Sequence, residues 1–138
     1  MTKIKYVAWI PNNFAGMAPF PCRIYIHKRM MDVEPDRRER LINHERVHII
    51  QMYRHGYFTW LFRYTFNGRW RAIYELEAYA TNIIAIVGAG IVYRSLSDFY
   101  IDKVLTRYYP RWWPFNKDKP TEAQARAILK SFIDYHYA

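Results

Sequence analysis

His44-Glu45-Arg46-Val47-His48-Ile49-Ile50-Gln51 is the stretch on which the fold turns. Its surroundings read as one helix. Asp36, which follows Pro35 and precedes Glu39 by three residues, predicts an N-cap with a capping-box partner. Leu41, Ile42, Val47, Ile49, Ile50 and Met52 supply the apolar positions, and Gly56 is the expected stop. Residues four apart on a helix project from one face about one turn apart. His44 and His48 therefore offer two imidazoles to a common point, and such a pair can bind one Zn²⁺. Glu45 is rotated by about 100° from His44, so its carboxylate falls beside the metal rather than on it. From there it can take a proton from a metal-bound water and return it to a leaving amine. Two imidazoles and a carboxylate among apolar neighbours are costly to bury alone, and a metal would supply their partner.

A catalytic zinc generally has three protein ligands. Tyr74-Glu75-Leu76-Glu77-Ala78-Tyr79-Ala80 offers two carboxylates on a second predicted helix. They are two residues apart and point about 200° from each other, so only one can reach the metal. Glu77 shares its face with Ile73, Ala80, Thr81 and Ile84, whereas Glu75 shares its face with Arg71, Tyr79 and Asn82. The more apolar face is the one expected to be buried. Glu77 is therefore the expected ligand, with Glu75 as a surface or supporting group. Ala78 and Ala80 allow the two helices to approach closely, and Gln51, about one turn beyond His48, is expected to orient an imidazole or a helix neighbour.

The strings His44 to Gln51 and Glu75-Leu76-Glu77-Ala78-Tyr79-Ala80 together resemble the gluzincin metallopeptidases. They are most similar to the minimal, single-domain members found in bacteria and bacteriophages, and the resemblance spans residues 24–82. It implies a zincin-like core and hydrolysis of a peptide bond, with His44, His48 and Glu77 as zinc ligands and Glu45 as the base. It also implies a strand along the cleft edge, a part residues 23–26 can supply, which would hold an extended substrate by strand addition.

The remainder predicts one domain over residues 1–138, α+β and mostly helical: a strand and loop element (1–35), the zinc-site helices (36–93) and C-terminal helices (94–138). Residues 4–10 and 23–26 read as strands, with Pro11-Asn12-Asn13 and residues 16–21 as loops. An aromatic segment, 58–66, ends at Asn67-Gly68. A long helix follows over about 70–93, where Gly88 and Gly90 mark a packing site or bend. Ser95 or Ser97 is expected to cap a helix reaching about residue 108. Pro110-Arg111-Trp112-Trp113-Pro114-Phe115 cannot be regular helix, and Thr121 with Gln124 predicts a capping box for the last one.

Hydrophobic residues at 51% and charged residues at 24% exclude a disordered chain. Aromatic residues reach 19%, more than one small core needs, so some rings are expected to line a groove, a partner surface or a membrane interface. A formal charge of +9 favours polyanions: nucleic acid, acidic lipid or an acidic protein partner. Arginines alternate with rings at Arg63-Tyr64, Arg69-Trp70-Arg71, Arg107-Tyr108-Tyr109 and Arg111-Trp112-Trp113. That pattern suits base stacking, a headgroup layer, or an aromatic core covered by arginine stems. His27, His55 and His136 are expected to be surface or packing residues. The single Cys22 excludes an intrachain disulfide and fits a reducing compartment. The start Met1-Thr2-Lys3-Ile4-Lys5 is unlike a secretion signal. The apolar run 83–93 is too short to span a bilayer, where about 20 residues are needed. The expected location is cytoplasmic or virion-associated. The expected function is a zinc-dependent peptide hydrolase. The alternative is a non-catalytic structural or assembly protein, such as a virion component, that keeps the zincin-like fold.

Overall fold

A computed structural model describes residues 2–11, 14–87 and 93–137 of the chain. It is α+β and mostly helical. Three short strands come first: β1 (Lys3–Val7), β2 (Gly16–Phe20) and β3 (Arg23–His27). They form one sheet in the order β1-β3-β2, with β1 parallel and β2 antiparallel to β3. The segment expected as loop at 16–21 is thus mostly strand. Pro19 is tolerated because β2 is an edge strand and its pairing is irregular between Met17 and Phe20. A short 3-10 helix, Lys28–Asp32, follows, and the His27 ring accepts the Arg29 backbone N–H at its start. Ile24 and Ile26 of β3 are fully buried, and with Met30 and Ile49 they close the sheet onto the first helix.

That helix, α1, runs over Pro35–His55. Its N-cap is Glu34, not Asp36, and no side chain caps it. Pro35 accounts for the difference: its fixed φ suits the first helical position, where an N–H has no partner in any case. Asp36 then lies in the first turn, beside the positive end of the helix dipole. Gly56 ends α1 as expected, at a φ of 83° that side-chain-bearing residues avoid. Ile50, expected among the buried flank of α1, is 54% exposed.

Helix α2 (Tyr57–Phe66) turns back over α1, and α3 (Gly68–Val87) runs through the centre of the fold. Gly68 tolerates no side chain, because a Cβ would lie 2.6 Å from the carbonyl oxygen of Lys117. One side of α3 packs against α4 (Tyr93–Arg107) and α5 (Glu122–Tyr137) through Leu76, Ile83, Ile101, Val104, Leu129 and Ile133. Its other side meets α1 and α2, where Met52, Trp60 and Tyr74 form a smaller core. Ser95 and Ser97 lie within α4 and do not cap it, since the helix already includes Tyr93. The expected bend at Gly88 and Gly90 lies outside the described residues. The capping box of α5 forms reciprocally: Thr121 N–H donates to Gln124 Oε1, and Gln124 N–H donates to Thr121 Oγ1. No described helix is long and apolar enough to cross a membrane.

The loop between α4 and α5 is tied down by Arg71, which is only 4% exposed. Its guanidinium donates to the carbonyls of Tyr64, Thr65, Tyr108 and Phe115 and to Asn116 Oδ1. The arginine–aromatic alternation is thus in part internal packing: Arg71 lies 5.3 Å from the Tyr109 ring and Arg63 lies 4.1 Å from that of Trp70.

Candidate metal centre

α1 brings His44, Glu45, His48 and Gln51 to its buried side, each no more than 5% exposed. Across from them α3 presents Glu75, at 2% exposure. Its Oε2 lies 3.1 Å from His44 Nε2 and its Oε1 lies 3.2 Å from His48 Nε2. The Tyr64 hydroxyl donates to Oε1 as well. One carboxylate thus meets both imidazoles and a phenol away from water.

Glu77, the ligand expected from the sequence, is elsewhere. Both its oxygens lie 3.0 Å from Arg54 NH1, and Gln51 Nε2 approaches Oε1 at 3.4 Å. The carboxylate that faces the imidazoles is thus Glu75 and not the expected Glu77, which pairs with Arg54 and approaches Gln51. The reason lies in the stripe Arg71, Glu75, Tyr79 and Asn82. All four are buried, and Arg71, Glu75 and Tyr79 find hydrogen-bond partners inside the fold, while on the Glu77 face only Ala80 is buried and Ile73, Thr81 and Ile84 are half-buried, as is Glu77 itself. A polar stripe whose partners come from the elements packed against it inverts the rule that the apolar face points inward.

Gln51 fixes the chemistry of His48. The Trp60 indole N–H donates to Gln51 Oε1, and Gln51 Nε2 donates to the Tyr74 carbonyl, so the amide has one orientation. His48 Nδ1, 3.0 Å from that Oε1, must then carry the proton and donate it. This leaves Nε2 aimed at Glu75. His44 Nδ1, by contrast, is buried and has no hydrogen-bond partner.

His44, His48 and Glu75 offer one ligand atom each, all within 4.8 Å of one another, and could hold a metal ion. Donors about 2.0–2.1 Å from a tetrahedral centre stand roughly 3.3–3.4 Å apart. The Nε2 atoms of His44 and His48 reach different oxygens of Glu75, at 3.1 and 3.2 Å, so the carboxylate faces both imidazoles, and small shifts of these side chains would bring one atom of each to that spacing. Two imidazole nitrogens and one carboxylate are also a donor set that zinc accepts, as do other divalent ions. The residues present fit a metal.

Burial works to raise the Glu75 pKa, but the charge on His48 and hydrogen bonds from His44 and His48 outweigh it, so the carboxyl stays well below the usual range. Burial would lower the His48 value, yet the Glu75 carboxylate raises it to about 9. Glu45 is shifted upward, chiefly by burial, against the opposing charges of His44 and His48. Burial also raises Tyr64 well above its ordinary value, so it acts as a donor and not as a phenolate.

The cluster lies on the wall of a cleft of about 570 Å³, lined also by Trp60, Tyr64, Tyr108 and the loop residues Trp112 and Trp113. Gly16 to Pro19 of β2 form its edge. The strand expected there, residues 23–26, is instead the central strand with a partner on each side, so it has no free edge for strand addition. Trp60 and Tyr64 are site residues that no motif marks; their signal is the spacing of Tyr57, Trp60 and Tyr64 along one face of α2. His27 caps the 3-10 helix, and His55 packs against Trp70 and Tyr74. The chain matches no known family model, and no curated protein or solved structure is significantly similar to it.

Proposed function

We propose that this protein is a metal-dependent hydrolase of peptide-like bonds, with zinc as its ion and a zincin-like core of α1, α2 and α3. One observation carries the reading: His44, His48 and Glu75 converge from two helices on one buried point in the wall of a cleft, with Glu45 beside them. The likeness of residues 44–51 and 75–80 to the gluzincins supports it. A divalent cation held there would polarise the scissile carbonyl and lower the pKa of a water toward about 7.

The chain's own residues do the rest. Glu45, with its pKa raised by burial, is suited to take a proton from the attacking water and pass it to the leaving amine. Gln51 keeps His48 Nε2 free to ligate by holding the proton on Nδ1. Tyr64 holds Glu75 in place by donating to Oε1. His44, Glu45, His48 and Glu75 are themselves almost fully buried, which strengthens the charge interactions among them. The test is zinc analysis of purified protein alongside hydrolysis of a peptide library. Glu45→Gln should keep the metal and lose about 10²–10⁴-fold in rate. Wild-type turnover by that variant would exclude the assigned base.

A second reading, attachment without turnover to an anionic surface or a larger assembly, has one observation in its favour. Phe62, Phe66, Phe115, Trp113 and Trp112 form a continuous chain of ring contacts, with Phe62 65% and Trp112 78% exposed. Residues 57–74 and 107–117, which carry it, contain arginines and Lys117 but no acid. Metal retention with no cleavage, together with cosedimentation with anionic vesicles, would favour this reading. Binding to nucleic acid that weakens steeply with salt would favour a polynucleotide as the partner.

A further inference from the structure

A second cavity, of about 260 Å³, adjoins the same centre: His44 and Glu45 line both it and the aromatic cleft. The two differ in chemistry. Arg37 and Arg40 of α1 and Lys103 and Arg107 of α4 all line the smaller one, whose sole acidic lining residue is Glu45. Among the described residues, the ion pairs made by lysine and arginine use Arg54, Arg126 and Lys130, and none involves Arg37, Arg40 or Lys103. The Lys103 ammonium stands over the Tyr79 ring at 5.1 Å, and that ring in turn lies 4.2 Å from the His44 ring. Burial first, then the charge of Arg107, holds the ammonium below its ordinary pKa, with Glu75 and Glu45 pulling the other way.

Like charges gathered in a half-enclosed space repel, and the arrangement is stabilised when an anion enters. From these positions we infer that the ligand of this centre is two-sided: a carboxylate seated among Arg37, Arg40 and Lys103, and a bulky apolar group in the aromatic cleft. That this ligand is a substrate rests on the hydrolase reading; the charge preference does not. The carboxylate has two sources in a peptide, a free C-terminus or an acidic side chain.

Calorimetric binding of three probes to the zinc-loaded Glu45→Gln protein separates them: acetyl-Phe-Ala-Ala with a free carboxylate, its C-terminal amide, and acetyl-Phe-Ala-Glu amide. One of the two charged probes should bind roughly tenfold or more tighter than the neutral amide, and which one does names the source. Arg40→Gln with Lys103→Gln should erase that preference while leaving the neutral probe's affinity unchanged. Both side chains are at least partly exposed, so the fold should survive, and an unchanged melting temperature verifies it. Equal affinity for all three probes, or a preference that persists in the double variant, overturns the inference. Absence of hydrolysis by the wild-type protein would count against the enzyme reading alone.

Discussion

The side-chain oxygen of Gln51 accepts a hydrogen bond from Nδ1 of His48 at 3.0 Å, while Trp60 donates to the same oxygen at 3.1 Å. A residue three positions past the second histidine thereby decides which imidazole nitrogen is left to bind a metal. Gln51→Leu should remove that control. Groups of this kind typically contribute 10–100-fold to metal affinity. Competition with a chromophoric chelator measures the loss; an unchanged affinity would show that His48 is oriented by packing alone.

The two acidic residues of α3 should separate cleanly. Glu75→Gln is expected to lose bound metal on dialysis, because it removes the carboxylate that meets both imidazoles. Glu77→Gln should retain the metal, since its oxygens engage Arg54 instead. Elemental analysis of the two variants decides between them, and the reverse result would require a different arrangement of α3.

Acidity should oppose metal binding. In the metal-free protein His48 holds its proton up to about 9, and a metal must displace that proton. Apparent affinity should therefore rise by up to about tenfold per pH unit from 7 and level off near 9. The metal-free fold has the opposite slope. Its His48 value lies above the unfolded value of about 6.5, so the stabilisation is full below about 6.5 and is lost as pH rises through about 9. Urea melts in chelator at pH 6.5 and pH 9.5 test this. Equal midpoints would show that the His48–Glu75 pair contributes nothing.

Arg71 is a structural clamp. Replacing it with Ala strands the carbonyls of Tyr64, Thr65, Tyr108 and Phe115, for an expected loss of about 3 kcal/mol or more. Lys should restore little, because its three donors cannot reproduce the guanidinium fork. Thermal denaturation in chelator isolates this effect from metal binding.

Much of this protein was legible in the sequence because the signals are local. The spacing of His44, Glu45, His48 and Gln51 sets their shared helix face through the backbone alone, and Gly56 and the Thr121–Gln124 box mark helix ends within a turn. The helix starts at Asp36 and Ser95 or Ser97 were misplaced within a turn or so, whereas the errors about the site arose where a choice depended on what lies across the fold. Whether Glu75 or Glu77 points inward depends on the partners that α1 and α2 bring to α3, and a polar stripe is stable inside only if those partners exist. β2 was missed because its pairing is supplied by β3, and Pro19 hid it. The cationic cavity joins α1 to α4 across more than sixty positions of chain. No periodicity carries that distance, since the juxtaposition is fixed by how the helices pack on α3.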